Sequence, residues 1–210
     1  PPRTSWHRRA KSPARRSDGT GGSAELSSSD GLAMNWPRLK HVRTEMNEDV
    51  AQALTAKLQD ARSLYHRLVF LVAPSNSGKT QCLHEIALRE QLPLLSLSLE
   101  LSRALLPLTG RQRTLQVPEM SQSLLNQMDS DTVLVDNPEL IFCPALKQHP
   151  LRLLESLSRS RTLGVAWPGK VHEGWISYAE PDHPEHRRYP ITDFLVVDAH
   201  VDNSFHEEQA

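Results

Sequence analysis

One eight-residue segment limits the fold of this chain more than any other. It reads Ala73-Pro-Ser-Asn-Ser-Gly78-Lys79-Thr80, which matches the phosphate-loop pattern except at its first position, where glycine is usual. An apolar run at 67–72 precedes it, and an amphipathic stretch at 79–91 follows it. A loop between a buried strand and a helix can turn backbone N–H groups inward on a phosphate. The segment therefore predicts a phosphate site within an α/β fold.

The polar residues of this segment suit a triphosphate that carries a metal ion. Lys79 supplies a positive charge to the β- and γ-phosphates, Thr80 supplies a hydroxyl to Mg²⁺, and Gly78 allows close backbone approach. The chain has no Asn-Lys-x-Asp guanine signature, so we predict that the cofactors are ATP and Mg²⁺. The predicted nucleotide-binding residues are Ala73, Pro74, Ser75, Asn76, Ser77, Gly78, Lys79, Thr80 and Gln81.

A carboxylate at the end of a neighbouring strand would complete such a site. Residues 133–135 are apolar and lead directly to Asp136, which we predict to hold the hydration shell of the Mg²⁺ together with Thr80. Many P-loop ATPases carry glutamate directly after this aspartate, but here Asn137 stands there and Glu139 lies two positions beyond it. Two interpretations of Glu139 stay open: a catalytic base, or a solvated acid of the loop.

Two arginines further along the chain are candidates for contact with a γ-phosphate. In oligomeric ATPases of the AAA+ type, an arginine near the positions of Arg159 and Arg161 reaches the nucleotide of a neighbouring subunit. The alternative is that they are helix C-terminal cations that complement the helix dipole. Trp167 ends the strand that follows, and we expect it to have a packing role.

The order of the apolar segments indicates the fold class. Strand and helix patterns alternate, which predicts a three-layer, mostly parallel α/β sheet of the P-loop NTPase type, with a C-terminal β-hairpin extension. We predict helices at 50–65, 79–91, 119–128 and 146–159, with another leading up to Leu106, and a loop at 110–118. The predicted strands are 67–72, 94–99, 132–135 and 163–167, with 175–179 and 194–197 at the C-terminal end.

The N-terminal stretch differs from the rest of the chain. Residues 1–33 hold six Arg or Lys against three Asp or Glu and few apolar residues. We therefore predict a disordered basic, Ser- and Gly-rich extension over 1–45, a P-loop NTPase-like domain over 46–200 and a disordered tail over 201–210. Because the chain does not begin with Met, an incorrectly placed start is one interpretation of 1–45. A basic arm for nucleic acid is the other.

Overall composition excludes several functional classes. The net charge of −1 argues against a nucleic-acid binder that uses its whole surface. Two cysteines, Cys82 and Cys143, make no disulfide framework, and no stretch reaches 18 apolar residues, so we expect a cytoplasmic protein without a membrane span. Acidic and histidine residues at 182–186 match no established metal-site spacing, and we expect a surface loop there.

Three segments resemble BrxF, a family of small P-loop proteins from type 3 BREX bacterial anti-phage systems. They read LYHRLVFLVAPSNSGKT, then VLVDNPELIFCPALKQHPLRLLESLSRSRTLGVAWPG, then YAEPDHPEHRRYPITDFLVV, and the resemblance spans residues 46–197. It implies a cytosolic component of a defence operon that also encodes a large ATPase, a DNA methyltransferase, a phosphatase-like protein and a helicase. The other products of that operon are the partners it implies.

Three functions follow from these observations. The first is a Mg·ATP-dependent ATPase of the defence complex that can form a homo-oligomer. The second is a nucleotide-binding adaptor without turnover, which Asn137 favours. The third is an accessory protein that binds DNA through the basic N-terminal arm and the region of Arg111 and Arg113.

Overall fold

Five parallel strands form the centre of the molecule. The computed structural model describes residues 48–199, so the predictions for 1–45 and 201–210 lie outside the described part. The parallel strands stand in the order β2-β3-β4-β1-β7. Their bounds are β1 Leu68–Ala73, β2 Leu94–Ser96, β3 Thr132–Asp136, β4 Thr162–His172 and β7 Leu195–Asp198. The prediction of a mostly parallel α/β sheet is confirmed.

The strand that leads into the phosphate-loop segment lies inside the sheet. β1 pairs with β4 from Leu68↔Leu163 to Ala73↔Pro168 and with β7 on its other side, and all six of its residues are buried. Because both faces of such a strand are covered, its sequence is a continuous apolar run rather than an alternating one. All five carboxyl ends reach the same edge of the sheet, and this arrangement brings distant loops together.

Helices and an apolar cluster cover each face. Within residues 48–199 the α-helices are α1 Glu48–Ala61, α2 Lys79–Glu90, α3 Leu97–Leu105, α4 Gly110–Asn126 and α5 Pro150–Leu157, with 3₁₀ helices at Glu139–Phe142 and Pro144–Leu146. Alternate residues of β1 join different clusters: Leu68, Phe70 and Val72 on one side, and Val69, Leu71 and Ala73 on the other. This arrangement is compatible with three layers. No helix of residues 48–199 has the length and apolar character needed to cross a membrane.

The C-terminal strands are arranged differently from the predicted hairpin. β4 does not end at Trp167 but continues to His172 and pairs antiparallel with β5 Trp175–Tyr178, which pairs with β6 Arg187–Pro190. The segment predicted at 194–197 lies in β7 instead, parallel to β1. The predicted strand at 163–167 ends just before Pro168, and proline lacks a ladder N–H. It stands where β4 leaves β1 and begins to pair with β5.

Other boundaries also differ from prediction. The strand predicted at 94–99 ends at Ser96, and α3 begins at Leu97. The loop predicted at 110–118 is the first half of α4, which Thr109 and Gln112 open with a capping box. Their side chains satisfy helix N-terminal N–H groups reciprocally. Burial of Val117 and Leu125 then stabilises the helix despite Pro118 inside it.

Candidate nucleotide-binding site

The phosphate-loop segment joins β1 to α2 as the sequence predicts. Ala73 is the last residue of β1, and the loop ends at Gly78, whose φ of 90° is in the left-handed region. Asn76, at φ 62°, shares that region, which only Gly visits freely and Asn tolerates. No side chain caps the N-terminus of α2. Its first N–H groups therefore face the loop, where an anion can accept from them.

Lys79 lies folded within the loop. Its Nζ donates to the carbonyl oxygens of Ala73 at 2.9 Å and Pro74 at 2.5 Å, and the residue is 7% exposed. Burial lowers the pKa of its ammonium group, while the nearby carboxylates of Glu139 and Asp136 act in the opposite direction. A phosphate placed in the loop would add negative charge beside this buried cation.

Thr80 and Asp136 meet at the carboxyl edge of the sheet. The Thr80 hydroxyl donates to Asp136 Oδ1 at 3.2 Å. Asp136 ends β3 and is 4% exposed, and β4 separates its strand from β1. A hydroxyl and a carboxylate this close offer two hard oxygen atoms, of the kind that Mg²⁺ prefers. The fold thus brings together Thr80 and Asp136, the two residues predicted to hold Mg²⁺.

Glu139 stands at the mouth of the same crevice. It begins the 3₁₀ helix that follows β3. The residue is exposed, yet partial desolvation of its carboxyl group is the main cause that raises its pKa, and Asp136 adds to the effect. Its own backbone amide and Lys79 oppose the rise. Asn137, with a left-handed φ of 50°, turns its side-chain amide towards Ser96 Oγ at 3.4 Å.

Two adjoining clefts surround these groups. The first measures about 780 Å³ and is lined by the phosphate loop, the start of α2, Asp136 and Glu139. That size is within the usual range for a ligand pocket. The second, about 850 Å³, lies against the antiparallel extension, which is the end of β4 with β5 and β6. It shares Ser75, Glu139 and Pro168 with the first. Glu139 therefore borders both spaces.

Some lining residues were not anticipated from the sequence. His84 is one turn beyond Thr80 on α2, a spacing that could have indicated a shared helix face. Ala166 and Pro168 reach the cleft because β4 pairs with β1. No local pattern signals that register, since it depends on where two distant strands align.

The predicted arginines lie away from this site. Both precede β4, at the amino edge of the sheet, opposite the phosphate loop. Arg161 donates to the carbonyl oxygens of Ser130, at 2.7 Å, and Met128. The Arg159 guanidinium lies 5.3 Å from the Tyr65 ring centroid. Within one copy of residues 48–199, neither arginine contacts the nucleotide cleft.

Two other candidates have structural contacts. Trp167 is fully buried and donates from Nε1 to the Ser177 carbonyl at 2.8 Å, so its expected packing role is confirmed. Arg113 donates from Nε to the carbonyls of Leu105 and Leu108, so fewer of its N–H donors are available to DNA. In the described residues, no group of three or more His, Cys, Asp or Glu side chains could hold a metal ion. A Mg²⁺ ion that keeps its waters and binds phosphates needs fewer protein ligands.

Comparison with family models, curated proteins and solved structures finds no match to this chain.

Proposed function

We propose that this chain is a P-loop protein that binds Mg·ATP in the cleft between the phosphate loop and Asp136. The contact of Thr80 with Asp136 at 3.2 Å is the observation that carries the proposal. A sequence that matches the phosphate-loop pattern can occur by chance, but here the Thr80 hydroxyl contacts the buried carboxylate of Asp136, which lies on another strand. Lys79 and the uncapped start of α2 add the positive field that a triphosphate needs.

ATP hydrolysis is the reaction that we propose for this site. Glu139 borders the cleft and would accept a proton from a water molecule that attacks the γ-phosphorus. The bond from that phosphorus to the β–γ bridging oxygen breaks, and ADP and inorganic phosphate leave. A carboxyl group whose pKa is raised is a better base near neutral pH than an ordinary glutamate.

A nucleotide-dependent adaptor without turnover is the second candidate. Asn137 favours it, because the residue directly after Asp136 carries an amide that cannot act as a base. In that case ATP would set the affinity for a partner. By the resemblance to BrxF, the partners would be the other proteins of a bacterial anti-phage operon and the location would be the cytoplasm.

Binding and turnover measured together separate the two candidates. Wild-type protein, Lys79→Ala and Asp136→Ala are compared for MgATP affinity by calorimetry and for phosphate release. We expect wild-type turnover, no binding in Lys79→Ala, and loss of Mg²⁺-dependent turnover in Asp136→Ala. Tight binding by wild type without turnover, even with the operon proteins present, would select the adaptor. Absence of binding at millimolar MgATP would reject both.

A further inference from the structure

The segment that carries Glu139 and the start of α3 cap each other. The backbone N–H of Ser98 donates to the Asn137 carbonyl at 2.9 Å. In the other direction, the backbone N–H of Leu140 donates to Ser98 Oγ, also at 2.9 Å. One serine therefore holds the residue that follows Asp136 and the residue that follows Glu139.

Both hydrogen bonds satisfy backbone N–H groups at the start of a helix. The first N–H groups of any helix lack partners inside it. Ser96 precedes α3 but makes no side-chain capping bond, so the Asn137 carbonyl serves an N–H of the first turn instead. The Ser98 hydroxyl does the same for the 3₁₀ helix that begins at Glu139. The left-handed φ of Asn137 aims its carbonyl at α3.

The other side of this 3₁₀ helix is held by packing. Ile141 and Phe142 are buried, and the Phe142 ring stacks on Tyr178 of β5 with centroids 3.6 Å apart. That contact anchors the end of the 3₁₀ helix. Near Glu139 itself, the Ser98 hydroxyl is the side-chain group that fixes the backbone, through the N–H of Leu140.

We propose that Ser98 is a positioning residue for Glu139, which it holds at the border of the two clefts by accepting from Leu140 N–H. This inference rests on the proposed ATPase function. Ser98 does not line the nucleotide cleft, so it acts through the backbone of the 3₁₀ helix. A small displacement of a base from its reacting position costs rate, up to about 100-fold for 1 Å.

Three variants of the same helix test the proposal. Ser98→Ala removes the acceptor, Ser98→Thr keeps it, and Ser102→Ala is the matched control, because the Ser102 hydroxyl donates to Leu99 O within its own helix. We expect Ser98→Ala to lower kcat on the order of 10-fold with the MgATP Kd within about twofold of wild type. Ser98→Thr should recover most of kcat, and Ser102→Ala should keep it.

A pH profile separates positioning from general loosening. Release of the 3₁₀ helix in Ser98→Ala should reduce the partial desolvation that raises the pKa of Glu139, so we expect the acid limb of the kcat profile to move to lower pH. Equal loss in Ser98→Ala and Ser102→Ala, or an unmoved acid limb, would overturn the role of Ser98. Wild type that binds MgATP without turnover would overturn it too, with nucleotide binding intact. Wild type that binds no MgATP would reject the proposed function itself.

Discussion

The hydroxyl of Thr80 donates to the carboxylate of Asp136 although 56 residues separate them along the chain. Thr80 lies in the first turn of α2 and Asp136 ends β3, and β4 lies between β3 and β1. A donated hydrogen leaves the lone pairs of the Thr80 oxygen available to a cation. Under the proposed function, the contact would hold both oxygen atoms in place for Mg²⁺ before a nucleotide binds.

Removal of the Thr80 hydroxyl should weaken the use of Mg²⁺. Thr80→Val keeps the branched shape but loses the oxygen, so we expect the Mg²⁺ concentration for half-maximal turnover to rise on the order of 10-fold. Thr80→Ser keeps the oxygen and should remain within a few-fold of wild type. Magnesium titrations at saturating ATP measure this. Equal Mg²⁺ dependence in Thr80→Val and wild type would contradict a metal-side role.

Replacement of Lys79 should separate ligand response from stability. Lys79→Met removes a desolvated charge but also the donor to the Ala73 and Pro74 carbonyl oxygens, so without nucleotide the variant should melt close to wild type. MgATP at 100 times its Kd stabilises wild type by about 2.7 kcal/mol, or roughly 5 to 10 °C, and should not stabilise the variant. Thermal melts with and without MgATP measure both effects. An equal shift in both proteins would remove Lys79 from the site.

Glu139 should make both stability and turnover depend on pH. Its pKa is raised above 4.5 in the folded state, so its contribution to stability is present at low pH and is lost as pH rises through the folded value. Glu139→Gln should therefore gain stability relative to wild type as pH rises, while its turnover falls. Denaturant unfolding at several pH values measures the first effect, with Glu119→Gln on α4 as the exposed control.

Arg161 should matter for stability more than for ATP binding. Arg161→Ala leaves two carbonyl oxygens without their charged donor, and we expect a loss of about 1 to 3 kcal/mol. Arg159→Ala loses a contact with an exposed ring, worth about 0.5 kcal/mol. Neither should change the MgATP Kd. Turnover that rises with protein concentration and is lost in Arg159→Ala would instead support its action on a neighbouring subunit.

The antiparallel extension should be sensitive to one added methyl group. A Cβ at Gly169 would lie 1.8 Å from the backbone oxygen of Ser177, which cannot move away cheaply. Gly169→Ala should therefore cost about 3 kcal/mol or more. Gly164→Ala is the matched control on β4, because its Cβ would meet side-chain ends of Leu134 and Leu58 at 2.9 and 3.1 Å. It should cost about 1 kcal/mol, and equal losses would contradict this reading.

The parallel centre of the fold was predictable because its signals are local. A buried run, a glycine-bearing loop and an amphipathic helix follow one another at 67–91, and each constrains the next. Asp136 could be found for the same reason, since an apolar strand points to the residue at its end.

The errors arose where tertiary contacts outweigh local preference. Pro118, at the end of the predicted loop at 110–118, lies inside α4, and Pro168, just after the predicted strand at 163–167, lies inside β4. The sequence does not distinguish Ser98 from other serines, because the partner of its hydroxyl, the N–H of Leu140, lies 42 residues away. Positions of this kind depend on how elements pack, and a single sequence does not encode that arrangement in neighbouring residues.

β4 continues without a break from the parallel strands into the antiparallel ones, and this limits how the chain can be shortened. A chain cut after His172 would lose the acceptor of the Trp167 indole and the Tyr178 ring beside Phe142. It would also lack β7, the outer neighbour of β1. A truncated version of that kind should expose its largest aromatic residues and precipitate, so the C-terminal strands belong to the minimal foldable unit.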